Sequence, residues 1–219
     1  KLNILIEESK QKNFLNKKKL NMASINSKAI KKNDIFFAIK GKKNDGNNYL
    51  EEVFKRGASL AVVNKINKSF KPTSQIKVQD SLKFLTKVSN IVRENSKGKI
   101  IAITGSCGKT SLKELLGITL NKFSKITYSP SSFNNKFGVP LSLFNLREKD
   151  DFGVFEVGMD KKGEIDNLTK IIQPDIGVIT NISYAHAKNF KNIKQIALAK
   201  AEIINNIKEG GSLVLNADD

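Results

Sequence analysis

A chain of 219 residues with 39% hydrophobic content has apolar material for one large domain or two modest ones. Its 38 Lys and Arg against 21 Asp and Glu leave a net charge of +17, but the lysines are scattered and arginine is scarce. That pattern argues for solvated faces and against a nucleic-acid surface. No run of about 18 apolar residues is present, so no helical membrane span is expected.

The chain opens with "KLNILIEESK", which has neither an initiator Met nor the apolar stretch of a signal peptide, and a few residues are expected to be missing there. The segment 13–32 is polar and Lys-rich and reads as irregular or edge structure. "DIFFAIKG" (34–41) predicts a buried strand ended by glycine. "NNYLEEVFKRGA" (47–58) predicts a short helix stopped at Gly57. "SLAVVN" (59–64) predicts the next strand, and residues 80–95 an amphipathic helix capped by Asp80 or Ser81. After Ser96-Lys97-Gly98 the register changes. Short apolar strands at 100–104, 152–158, 176–180 and 212–217 alternate with helical stretches from Lys109, at 164–172 and at 193–207. Such alternation predicts a parallel, doubly wound sheet. The expected architecture is α/β: a small mixed α/β domain over 1–97, then a doubly wound, mostly parallel P-loop ATPase domain over 98–219. The end at "NADD", straight after a strand, suggests a truncated sequence.

The chemistry concentrates at the carboxyl ends of these strands. "ITGSCGKTSLKE" (103–114) places Gly105 and Gly108 in a turn between an apolar strand and a helix. Backbone N–H groups and the positive helix end converge there on an anion. Lys109 is suited to the β/γ-phosphates and the Thr110 hydroxyl to Mg²⁺, with Ser106, Cys107 and Ser111 alongside. The usual G-x-x-x-x-G-K-[ST] pattern has Ile103 in place of its first glycine, so the loop is a shortened T-G-x-x-G-K-[ST] form. Cys107 reads as a small loop residue. Glu156 ends the strand "FGVFEVG", where a carboxylate can bind Mg²⁺. Asp160, Glu164 and Asp166 read as loop or cap residues. His186, the only histidine, follows "IGVIT" and can serve as a metal or phosphate ligand. Asn134 and Asn135 in "FNNKFGVP" are either turn formers or amide contacts to a nucleotide or metal-bound water. Lys200 in "ALAKAEII" lies in apolar company, where an ammonium is costly.

Taken in order, "ITGSCGKTSLKE", "FNNKFGVPLSL", "VFEVGMDKKGEI", "ITNISYAHAKNF", "ALAKAEI" and "LVLNADD" resemble the Mur ligase family. They are closest to the branch that adds D-alanyl-D-alanine to UDP-N-acetylmuramoyl-tripeptide. The resemblance implies an ATP-dependent, amide-bond-forming ligase of peptidoglycan precursor synthesis, cytoplasmic and monomeric, working through an acyl phosphate with two Mg²⁺ ions. It implies that Thr110 and Glu156 hold the first ion and His186 the second. Asn135 would lie near the nucleotide, and Lys200 would be the lysine that the family carbamylates. It makes 1–97 a UDP-substrate domain in which Ser27, Lys28, Lys42, Asn44 and Asp45 contact substrate. Lys28 stands where the family has Arg, losing planar bidentate geometry, and Asn47 stands where it has His. The family's third domain is absent from these residues, so the fragment alone is expected to have little or no activity. Three other readings remain open: a sister Mur-type or folylpolyglutamate synthase-like ligase, a basic P-loop ATPase acting on nucleic acid, and a non-catalytic binding remnant.

Overall fold

A computed structural model of the chain describes residues 1–9, 20–184 and 189–218. The chain divides into two compact units, Lys1–Ile91 and Val92–Asp219. In the first, α1 (Leu2–Ser9) precedes four parallel strands in the order β1-β2-β3-β4: Ala23–Ser24, Ile35–Phe37, Leu60–Val63 and Gln75–Lys77. β2 and β3 read as unbroken apolar runs because neither face meets water; every residue of both is buried. Helix α2 (Leu50–Lys55) lays Leu50 and Val53 on Phe36, Ala38, Ala61 and Val63. Gly57, at φ +94°, ends that turn in the left-handed region that a helix stop requires. Two elements have weak sequence signals. β1 is only two residues long, and β4 follows a 3₁₀ turn at Pro72–Ser74 with only Ile76 as an apolar anchor. Both sit at the sheet edges, where half the ladder suffices.

Helix α3 (Ser81–Glu94) begins where the Asp80 carboxylate accepts from the Leu82 and Lys83 N–H groups. At its far end, in the second unit, buried Arg93 donates to the Ile172 and Gln173 carbonyls and pairs with Asp175 at 3.2 Å. Asp175 also accepts from the Ile100 N–H at 2.8 Å. These bonds satisfy the carbonyl end of a helix that finishes at Gln173, itself at φ +44°.

The second unit is a five-stranded parallel sheet in the order β6-β7-β5-β8-β9: Ile126–Tyr128, Phe152–Glu156, Lys99–Thr104, Ile176–Ile179 and Ser212–Leu215. The chain leaves central β5 through α4 (Lys109–Leu120) to β6 and through α5 (Gly138–Asn145) to β7. It then crosses to the other side of β5 through α6 (Glu164–Ile172) to β8 and through α7 (Ile193–Ala201) to β9. Strand order therefore reverses at β5, and in sheets of this kind ligands gather at the carboxyl ends of the strands flanking the reversal, here β5, β7 and β8. The apolar side of α4 (Leu112, Leu116, Leu120) covers Ile101, Ile103, Ile126 and Val154. Helix α5 is buried along its whole length. The predicted helix over 193–207 is α-helical only to Ala201. It continues as a 3₁₀ turn over Glu202–Asn206, where the Glu202 and Asn206 side chains turn onto α6. Among the described residues no helix is long and apolar enough to cross a membrane.

Candidate functional site

The turn at the carboxyl end of β5 is built by two left-handed glycines, Gly105 at φ +147° and Gly108 at φ +79°. At Gly105 a Cβ would stand 1.9 Å from the Thr180 hydroxyl, so no other residue fits. The loop is anchored to the segment after β8. Thr180 Oγ1 donates to the Cys107 carbonyl, Cys107 N–H donates to Asn181 Oδ1 at 2.9 Å, and Ser106 N–H donates to the Asn181 carbonyl at 2.9 Å. Ser106 Oγ bridges to Ser183 in both directions. Lys109 Nζ curls back onto the Gly105 and Ser106 carbonyls at 2.8 and 3.3 Å. The loop thereby spends the Ser106 and Cys107 N–H groups on its own anchoring, and an anion at this turn would be met by the N–H groups of the first turn of α4 and by Lys109 once it leaves the loop carbonyls. Cys107 is exposed in it, and Ser111 is exposed on the first turn of the helix.

Glu156, at the end of β7, is 1% exposed. Its Oε2 accepts from the Thr110 hydroxyl and its Oε1 from Asn134 Nδ2, each at 2.8 Å. The structure thus brings Thr110 and Glu156 together. It puts Asn134 rather than Asn135 on the carboxylate. Asn135 Oδ1 accepts from the Phe137 and Gly138 N–H groups and caps the entry to α5. A hydroxyl and a carboxylate are hard oxygen donors that fit Mg²⁺, which takes few protein ligands and completes its shell with phosphate and water. No group of three His, Cys, Asp or Glu side chains gathers among the described residues.

Lys200, on the last turn of α7, is 1% exposed. Burial pushes its ammonium down to about 8, the Lys109 charge pushes the same way, and Cys107 opposes them. The charges that act on Lys200 therefore belong to the phosphate-type loop. Its segment is fastened to α6: Glu202 accepts from the Gly163 and Asp166 N–H groups, and Asn206 donates to the Asp166 carboxylate and the Thr169 hydroxyl. Asp166 thus holds the 3₁₀ turn, and Glu164 folds its carboxylate onto the Asp160 and Lys161 N–H groups. His186 lies outside the described residues.

In the first unit, Ser27 and Lys28 follow β1, and Lys42, Asn44 and Asp45 follow β2, both at the carboxyl edge of adjacent strands. Buried Ser27 donates to Glu52 Oε2 at 2.8 Å, holding that carboxyl below its ordinary range. Lys28, Lys42 and Asn44 are exposed. The Asp45 carboxylate is taken up by the Asn47 side chain and N–H, which keep it below the usual carboxylate range. Asn47 Oδ1 in turn accepts from the Asn64 N–H. Asn47, standing where the resemblance implies His, is thus a structural link between two strand ends.

Sequence reasoning passed over Thr180, Asn181, Lys113 and Glu202. Thr180 and Asn181 were accessible by their place just after a strand that neighbours β5. Lys113 and Glu202 carry no local signal, because a charged residue in a helix is ordinarily solvated.

Comparison with known proteins agrees with this fold. The family model of the Mur ligase middle domain matches residues 103–219, more than half of the chain. The chain belongs to the Mur ligase family. It is 38% identical over 199 residues to the UDP-N-acetylmuramoyl-tripeptide–D-alanyl-D-alanine ligase of Rickettsia prowazekii, covering 91% of this chain and 44% of that protein. With the Bacillus subtilis protein of the same name it shares 31% identity over 194 residues, 88% of this chain and 42% of the relative. Among solved structures it resembles MurF from Acinetobacter baumannii, with a TM-score of 0.81 and 31% identity over 97% of this chain and 48% of that one. It also resembles the Thermotoga maritima MurF ligase in complex with ADP, with a TM-score of 0.74 and 31% identity over 91% of this chain and 46% of that one. The chain spans less than half the length of these relatives.

Proposed function

We propose that the chain is the substrate- and ATP-binding portion of a ligase that joins D-alanyl-D-alanine to UDP-N-acetylmuramoyl-tripeptide in peptidoglycan precursor synthesis. The observation that carries this reading is the meeting of the glycine loop, Thr110 and Glu156 at the point where strand order reverses, with buried Lys200 under the influence of the Lys109 charge. A terminal carboxylate oxygen of the tripeptide attacks the γ-phosphorus of ATP, the bond to the bridging oxygen breaks, and ADP leaves. The amine of D-alanyl-D-alanine then attacks the acyl carbon, phosphate departs, and the amine loses a proton. Both steps bring anions together, so charge neutralisation dominates the barrier.

Lys109 binds the triphosphate, and the N–H groups of the first turn of α4 orient it. Thr110 and Glu156 would hold a Mg²⁺ ion, which would supply positive charge to the anionic phosphates. Asn134 fixes the far oxygen of Glu156. His186 and Lys200, the latter carbamylated, would be the ligands of a second ion. Carbamylation requires a neutral amine. A pKa of about 8 leaves roughly a quarter of Lys200 neutral near pH 7.5, against about a thousandth for an ordinary lysine. The nitrogen lone pair bonds to CO₂, a proton leaves, and a buried cation becomes an anion. Ser27, Lys28, Lys42, Asn44 and Asp45 line the edge that takes the UDP portion. Use of ATP places the reaction in the cytoplasm.

The test is phosphate release by the complete gene product offered UDP-N-acetylmuramoyl-tripeptide with D-alanyl-D-alanine, diaminopimelate or lysine. Release with D-alanyl-D-alanine alone is expected. Release with either amino acid instead would transfer the chain to a sister activity. Lys109→Ala is expected to lower the rate by about a hundredfold or more while leaving binding of the UDP-substrate intact. Equal loss of both would overturn the division of labour between the two units.

A further inference from the structure

Lys113 lies one turn beyond Lys109 on α4 and is fully buried, yet the reaction above gives it no task. Its Nζ donates to the Ser131 carbonyl at 2.5 Å and pairs at 2.8 Å with Glu114, a half-exposed carboxylate. An ammonium buried in this way carries a desolvation cost that an apolar side chain of equal length would avoid. Outside α4 it bonds a backbone carbonyl whose residue is itself unusual: Ser131 sits at φ +46°, in the left-handed region.

That residue is the apex of the loop joining β6 to α5, and the loop grips Glu156 on both sides of the apex. Before it, Ser129 Oγ accepts from the Glu156 N–H at 3.1 Å. After it, Asn134 Nδ2 donates to Glu156 Oε1, and the Asn134 carbonyl accepts from the Gly158 N–H at 2.8 Å. The fit is close, because a Cβ on Gly158 would stand 2.9 Å from the Asn134 amide carbon. We infer that Lys113 is a positioning residue for the divalent-cation site: by holding the Ser131 carbonyl it presents Asn134 to Glu156 Oε1, which leaves Oε2 directed at Thr110. One helix then carries the phosphate-binding lysine, the hydroxyl ligand and the strut that orients the carboxylate ligand. This inference rests on the reading of Glu156 as a metal ligand.

The test uses the complete gene product with ADP, and Mn²⁺ as the metal probe read by electron paramagnetic resonance. Calorimetry with ADP in the absence of metal reports the nucleotide site alone. Lys113→Met is expected to weaken Mn²⁺ binding about 10- to 100-fold and to leave metal-free ADP binding unchanged. Asn134→Ala is expected to weaken it to a similar degree. Adding Lys113→Met to Asn134→Ala should then change nothing further, because one residue acts through the other. Effects that multiply in the double variant, or an unaltered Mn²⁺ affinity in folded Lys113→Met, overturn the proposal. Glu156→Ala separates the two levels. If it leaves Mn²⁺ binding intact, the metal-site reading itself fails; if it weakens binding while Lys113→Met does not, only the strut fails. Should Lys113→Met not fold, Lys113→Leu, which likewise removes the donor, takes its place under the same readings. Failure of both to fold assigns Lys113 to stability and overturns the positioning role.

Discussion

The two units use the same material, parallel strands with loops at their carboxyl ends, and arrive at different kinds of edge. In the first unit strand order follows chain order, β1 to β4, and the candidate substrate loops are open: Lys28, Lys42 and Asn44 are exposed. In the second unit order reverses at β5, and Ser106, Glu156 and Lys200 are buried there, with Glu156 bonded to Thr110 and Asn134. On the proposed function the difference is electrostatic. A site that must hold several like charges profits from fixed dipoles in a water-poor crevice, whereas an edge that recognises a large polar ligand can leave its lysines solvated until the ligand arrives.

Changes in the second unit should therefore cost far more than changes in the first. Gly105→Ala drives a methyl group into Thr180 and should destabilise the unit by about 3 kcal/mol in denaturant unfolding, with loss of nucleotide binding. A normal unfolding midpoint would show that the loop gives way more easily than its anchors suggest. Lys200→Met should abolish ligation yet stabilise the fold by about 3 kcal/mol below pH 8, the value of shifting an ordinary ammonium from 10.5 to about 8. Between those two pH values the unfolded chain binds more protons at this lysine than the folded one. Stability of the parent protein should accordingly rise with pH across that window, and the variant should lose that rise when unfolding is followed in bicarbonate-free buffer. Glu202→Ala strips two acceptors from the start of α6 and should cost about 2 kcal/mol in thermal unfolding. Lys42→Ala, at the open edge, should weaken UDP-substrate binding by less than about 1 kcal/mol in calorimetry and leave the melting temperature alone. A large effect there would mean that the first edge closes on its ligand more tightly than its exposure indicates.

Much of this was legible in the chain. The strands at 34–41, 59–64, 100–104, 152–158 and 176–180 announce themselves as apolar runs, and the glycine loop announces itself by its lysine and threonine. β1, β4 and β6 did not: two or three residues at or near a sheet edge need too few apolar side chains to stand out. The choice between Asn134 and Asn135 was likewise closed to sequence reasoning. Adjacent amides are interchangeable until one of them caps a helix, and Asn135 does so.

From residue order alone came the class of architecture, the position of the anion-binding turn and the identity of Thr110, Glu156 and Lys200 as candidates, since each depends on periodicity or on a short local pattern. Tertiary structure alone decided which charges meet. Lys113 reaches Ser131 across 18 positions, Glu156 reaches Thr110 across 46, and Glu202 caps a helix that begins 38 residues earlier. Partners so distant along the chain are selected by how the sheet folds back on itself, and no local preference of theirs records the encounter.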